Sequence, residues 1–214
     1  MKIALIGSQC VGKTTLINSF IKQWPMYSCP EKTYRDSIKQ QNLKLNKVGT
    51  KEHQKIILNA LIDEIQHVVS SDAKYVIFDR CPIDNIAYSL WHYAKGTEGF
   101  DSEFIMDCKT LAALTLKHYD VLFYLPVRKE IPLVEKENRD MDEMFREEID
   151  NIFNSMVNSY EKSTGAFFPR EDCPAVIRLD GPPDMRLPQM SLYIKENGDG
   201  YGENDGSLIA SAAI

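Results

Sequence analysis

The chain has 214 residues, 43% of them apolar and 26% charged, with a formal net charge of −6. That is ordinary globular composition, and the length suits one α/β domain with chain enough for a sizeable core. No apolar run approaches a membrane span, and the charged Lys2 with the early glycine-containing segment leaves no room for a signal peptide, so a cytoplasmic protein without membrane attachment is expected.

The acidic balance argues against a protein that lives on nucleic acid, which usually carries a basic face. Five cysteines form no Cys-x-x-Cys pair, and the odd count reads as reduced thiols. The four histidines are scattered without metal-ligand spacing.

The first element expected is a strand at about Lys2–Ile6. Directly after it stands Gly7-Ser8-Gln9-Cys10-Val11-Gly12-Lys13-Thr14, a match to G-x-x-x-x-G-K-[ST] between an apolar run and a helical pattern. In such a loop the glycines let successive N–H groups turn inward on phosphate oxygens. Gly7, Cys10, Val11, Gly12, Lys13, Thr14 and Thr15 are therefore the expected triphosphate cradle. Lys13 would reach the β- and γ-phosphates, and the Thr14 hydroxyl would ligate Mg²⁺.

The helix opened by this loop is expected to run toward Gln23, ahead of Trp24-Pro25, and a short second strand is expected near Tyr27–Pro30. Ile56, Ile57, Ala60, Leu61, Ile65, Val68 and Val69 recur at helical spacing over residues 50–70. Lys74-Tyr75-Val76-Ile77-Phe78-Asp79 is a buried-strand run ending in an acid. Helices follow at about 83–94 and 101–118, then a strand at Val121–Leu125. The clearest helix is 142–162, with Met144, Phe145, Ile149, Ile152, Phe153, Met156, Val157 and Tyr160 on one stripe. A last strand is expected at Ala175–Leu179. From residue 195 the Asn/Gly/Asp-rich sequence reads as a flexible tail, leaving 1–194 as the folded domain. Alternating strands and helices imply a parallel sheet of five strands between helical layers.

A second chemical signal is Asp79-Arg80 at a strand's C-terminal end, where ligands of open α/β sheets gather. Asp79 there can hold Mg²⁺ and Arg80 can steady phosphate charge.

The run Val76 to Tyr88, containing Asp79-Arg80-Cys81-Pro82-Ile83-Asp84-Asn85-Ile86-Ala87-Tyr88, resembles the D-R-x-P-x-D-x-x-A-Y segment of NadR-type P-loop kinases, the nicotinamide riboside kinase-like AAA domain group. More distantly it is similar to deoxynucleoside and thymidylate kinases. The resemblance covers most of residues 1–190. It implies the three-layer αβα sandwich of P-loop NTPases with a helical lid, and an ATP- and Mg²⁺-dependent phosphotransferase acting on a nucleoside- or nucleotide-like small molecule.

Further roles come with that resemblance. Glu31 would be the base, or bind a sugar hydroxyl, and Arg35 would pair with a phosphate; the alternative for Glu31 to Asp36 is a solvated charge cluster. The stretch 128–146 would be the lid, with Arg139 and Arg146 over the triphosphate, although Glu–Arg pairs on a helix face would give the same sequence. Gly181, in Leu179-Asp180-Gly181-Pro182-Pro183-Asp184-Met185-Arg186, would let adenine approach, or belong to an ordinary turn. Gln54 would read a base edge or be an exposed helical glutamine. Tyr88 would stack on a ring or serve the core.

A switch GTPase fits poorly, since Asp79 is followed by Arg-Cys-Pro and no N-K-x-D is present. Two other readings stay open. One is a kinase acting on a modified base within DNA, such as hydroxymethyluracil, which the net charge disfavours. The other is a non-catalytic ATP-binding module. The sequence leaves ATP against GTP and the oligomeric state open, a homodimer being one option.

Overall fold

The computed structural model describes residues 1–41, 46–129, 131, 142–164 and 173–201. Its strands are β1 (Lys2–Ile6), β2 (Val76–Asp79), β3 (Val121–Tyr124) and β4 (Ala175–Arg178). Its α-helices are α1 (Lys13–Gln23), α2 (Tyr34–Gln40), α3 (Lys51–Ser70), α4 (Pro82–Ala94), α5 (Ser102–Leu116), α6 (Glu143–Glu161) and α7 (Pro183–Met190).

The strands form one parallel sheet in the order β2-β1-β3-β4. β1 pairs Ile3 with Ile77 on one side and with Val121 on the other. Ala4 and Ile6 face a core shared with α3 to α6, while Ile3 and Leu5 face a second core shared with α1 and α7. Both faces of β1 are covered, which is why its sequence is a continuous apolar run rather than an alternation. Ile3, Leu5 and Ile6 are each 0% exposed, and each contributes about 1.5–3 kcal/mol of apolar burial. The three-layer sandwich expected from the sequence is therefore present.

The sheet has four strands, not five. The strand expected at Tyr27–Pro30 is reduced to a single parallel bridge between Ser28 and Val76. Ser28 donates to Tyr75 O and accepts from Ile77 N at 3.0 Å. Pro30 brings no N–H to continue the ladder, so pairing stops there.

Two helices are additional to those expected. α2 begins at a capping box in which Asp36 accepts from the Thr33 N–H at 2.8 Å. α7 begins with Pro183 in its first turn. α1 ends at Trp24, whose backbone leaves the helical region ahead of Pro25.

The first residues of the tail expected from residue 195 are hydrogen-bonded to the body. Trp24 Nε1 donates to Lys195 O at 2.9 Å, Tyr27 OH to Gly198 O at 2.7 Å and Tyr75 OH to Asp199 Oδ1 at 2.5 Å. These aromatic donors are buried or half-buried and need acceptors, which strap residues 195–199 to the body. No helix among the described residues is long and apolar enough to cross a membrane.

Candidate active site

The loop between β1 and α1 wraps its own lysine. Lys13 Nζ donates to Gly7 O at 2.7 Å and Ser8 O at 2.6 Å, and the residue is buried. Gly7 has φ +139° and a Cβ there would lie 2.6 Å from Leu125 O, so only glycine fits. Gly12, at φ +91°, caps α1 in the left-handed region. Cys10, at φ +58°, is a non-glycine residue held in that region within the same turn. Val11, buried, belongs to the loop, and Thr15, exposed, lies in the first turn of α1.

Burial pushes the Lys13 ammonium down to about 7; the Arg80 charge adds to this, while Asp84 and Asp79 oppose it. A lysine in that state gains much from an anion beside it.

β2 delivers the second half of the site. Asp79 Oδ2 accepts from Thr14 Oγ1 and from Arg35 Nη2, each at 2.9 Å. Its Oδ1 is buried without a hydrogen-bond partner. Burial raises the Asp79 carboxyl, but Lys13, Arg35 and Arg80, with the Thr14 hydroxyl, outweigh it and hold the group below the usual carboxylate range. A hydroxyl and an ionised carboxylate with a spare oxygen are the donor set a hard divalent cation takes, so Thr14 and Asp79 fit Mg²⁺.

Arg80 follows at φ +92°, a strained backbone for a residue with a side chain. Its guanidinium is 2.9 Å from Asp84 Oδ1 and 3.2 Å from the Tyr88 hydroxyl. Asp84 also accepts from the N–H of Gly7 at 3.3 Å and of Cys81 at 3.1 Å. The first turn of α4 thus ties the phosphate loop to the Asp79-Arg80 corner. Tyr88 OH reaches Gln9 Oε1 at 2.8 Å, closing the same network.

Beside this corner opens a cleft lined by Tyr34, Gln54, Ile57, Arg80, Asn85 and Tyr88 among others. Gln54 is not an exposed helical residue: it is 3% exposed, and its Oε1 accepts from Asn85 Nδ2 at 2.6 Å. A second cleft lies across the loop between Gly12, Thr15, Ile131, Pro183 and Arg186.

The structure thus brings together Gly7, Cys10, Val11, Gly12, Lys13, Thr14, Arg35, Gln54, Asp79, Arg80 and Tyr88. Glu31 stands apart, exposed on the bend before α2 and outside the lining of the first cleft. Gly181 turns the chain into α7 beside the second cleft without lining it. Arg146 is buried and donates to Ile131 O at 3.1 Å, so it fixes one wall of the second cleft. Arg139 and most of the lid expected at 128–146 lie outside the described residues. Arg128, at the lid's start, pairs with Asp180 at 2.8 Å.

Four residues were given no role from the sequence, although Asp84 is the second Asp of the quoted D-R-x-P-x-D segment. Asp84 occupies the third helical position of α4, a capping-box position that carries a sequence signal. Asn85, Glu64 and Arg186 carried none, because only the fold brings them to the clefts or to α2. Glu64 is buried in α3 and its Oε2 accepts the Tyr34 N–H at 3.0 Å. Burial pushes its carboxyl up to about 8, against the Tyr34 hydrogen bond and with help from Asp79 and Asp36.

A parallel sheet whose central strand runs into a glycine loop, a lysine and a helix is the fold of a P-loop NTPase. The chain belongs to the AAA domain family, whose model matches residues 2–164. No curated protein matches it in sequence. Among solved structures, it is similar to a NadR protein in complex with NR, with TM-score 0.59 and 16% identity, covering 92% of this chain and 48% of that one. The chain therefore spans about half the length of that NadR protein. Deoxyadenosine kinase from M. mycoides with bound dATP gives TM-score 0.59 and 18% identity, covering 90% and 97% of the two chains. Thymidylate kinase from Candida albicans gives 0.57 and 13%, covering 88% of each.

Proposed function

We propose that this protein is an ATP- and Mg²⁺-dependent phosphotransferase that moves the γ-phosphoryl group to a hydroxyl or phosphate of a nucleoside- or nucleotide-like small molecule. The observation that carries this reading is the meeting of Lys13, the Thr14–Asp79 pair and Arg80 at one mouth of the cleft lined by Tyr34, Gln54 and Tyr88. Phosphoryl transfer asks for positioning and dispersed cationic charge rather than a covalent catalyst, and this corner offers both. The NadR protein bound to NR and the deoxyadenosine kinase bound to dATP, which share the fold, support an acceptor of that class.

In this reading Lys13 leaves the carbonyls of Gly7 and Ser8 and turns its ammonium onto the β- and γ-phosphate oxygens. Thr14 and Asp79 would hold a magnesium ion, which when bound would neutralise phosphate charge. Arg80, oriented by Asp84, faces the side from which the acceptor enters and steadies the developing charge. Glu31 is the base, carried toward the acceptor by the segment that leads into α2, and Arg35 in the first turn of α2 exchanges Asp79 for an acceptor phosphate. Tyr34, Ile57 and Tyr88 offer apolar and aromatic surface to a ring, and Gln54 an amide edge. Arg139 and Arg146 belong to the lid that shields the reaction from water.

The test is ADP formation by the purified protein with magnesium ATP and a panel of free nucleosides, nucleotides and DNA. ADP formed only when a small acceptor is present supports the reading, and Lys13→Ala should cut that rate by about a hundredfold or more. ADP formed with DNA alone would move the acceptor to the polymer. Turnover independent of every acceptor, or untouched by Lys13→Ala, would overturn the assignment.

A further inference from the structure

Arg186 is among the most buried side chains of the molecule, at 1% exposure, yet it is a cation. It comes from α7 and ends beneath the phosphate loop, where Nη1 donates to Val11 O and Nη2 to Pro126 O at 3.0 Å. Its Nε is buried and has no hydrogen-bond partner. Among the described residues no carboxylate lies within ion-pair distance of it. The charges that reach it are those of Arg128, which repels and is paired with Asp180, and Asp150, which is engaged by Tyr124 and Asn154. A buried guanidinium without a counter-ion is a costly arrangement.

Its position gives that cost a use. A trans peptide is planar, so the Val11 carbonyl and the Gly12 N–H on the same unit point in opposite directions. By taking the carbonyl, Arg186 leaves that N–H turned away from itself and open to a phosphate oxygen. A Cβ on Gly12 would come within 3.6 Å of Nη1, so the guanidinium lies against the loop's last peptide.

We infer that Arg186 is a positioning residue for the polyphosphate: it fixes the peptide between Val11 and Gly12 from behind and holds behind the loop a positive charge that the bound anion compensates. The inference rests on the triphosphate reading above and adds a residue to it. Arg186 acts through the loop and through its field.

Calorimetric titration of the wild type, Arg186→Met and Arg186→Lys with magnesium ATP and with magnesium tripolyphosphate, beside melting curves of the free proteins, tests this. Met fills the stem's volume without the charge, so relief of an uncompensated buried ion offsets the two carbonyl hydrogen bonds given up. Arg186→Met should therefore melt no lower than the wild type, yet bind both ligands about tenfold more weakly. Arg186→Lys, which keeps the charge and can hold one carbonyl, should bind within about threefold of the wild type. Equal binding by Arg186→Met and the wild type would overturn the inference alone. So would a loss for ATP but not for tripolyphosphate, which would place the effect at the base. An Arg186→Met protein that fails to fold or melts well below the wild type would make the residue a structural brace and also overturn it. A wild type that binds neither ligand would instead remove the triphosphate reading on which it stands.

Discussion

Arg35 and Thr14 share a single oxygen of Asp79: the guanidinium and the hydroxyl each stand 2.9 Å from Oδ2. The pair joins α2, which walls the first cleft, to the carboxylate proposed to hold magnesium. Arg35 is half exposed, so the contact is weak enough to exchange. Arg35→Ala is expected to lower the magnesium concentration giving half-maximal turnover by about two- to threefold while reducing kcat at least about tenfold. Magnesium titrations of acceptor-dependent ADP release check both; a rise in the magnesium requirement would contradict the exchange.

Gly7→Ala places a methyl group 2.6 Å from the Leu125 carbonyl, on a backbone at φ +139°. Both the clash and the conformation are unfavourable, and the loop cannot shift without moving the β1–β3 ladder that ends there. A loss of about 2–4 kcal/mol in stability is expected, read by urea denaturation.

Glu64 gives a pH signature. Its folded-state value, about 8, lies above the ordinary carboxylate value of 4.5, so between those limits the folded protein binds a proton that the unfolded chain does not. Its contribution is therefore greatest below the lower limit and is lost as pH rises through about 8. Glu64→Gln, which keeps an acceptor for the Tyr34 N–H, should flatten this fall. Relative to the wild type it should gain at least about 1 kcal/mol between pH 5 and pH 8.5, measured by denaturant midpoints in each buffer.

Gln54 and Asn85 form a buried amide pair at the wall of the first cleft. Gln54→Leu should raise KM for the small acceptor by about tenfold and leave KM for ATP within about twofold, since a lost hydrogen bond in a closed pocket costs roughly one power of ten. Steady-state kinetics with each substrate varied in turn would show it, and an equal rise in both values would argue against this cleft as the acceptor side.

Much of this architecture could be read along the chain. The phosphate loop announces itself because glycines, lysine and threonine stand at fixed spacing after an apolar strand, and Asp79-Arg80 because it ends another. The long helices α3 and α6 show a 3.6-residue period strong enough to survive without context. What stayed hidden depends on contacts between distant segments. Gln54 looks like a surface residue until α4 presents Asn85 to it, and nothing near Arg186 in sequence indicates that α7 tucks it beneath Val11. The strand at Tyr27–Pro30 had the composition of an edge strand, but its ladder ends at one bridge because Pro30 lacks a donor. Asp199 and Gly198 have the local composition of a tail, and only the hydroxyls of Tyr27 and Tyr75 make them part of the body.

The strap at residues 195–199 also bears on how the molecule can be observed. Its two tryptophans occupy separate environments: Trp24 lies against Phe20 under the strap, and Trp91 packs on Phe145 with its indole N–H on Glu148. Emission from a Trp91→Phe protein would thus track detachment of the C-terminal strap, and emission from a Trp24→Phe protein would track rearrangement where α4 meets α6. One chain carries two independent optical gauges.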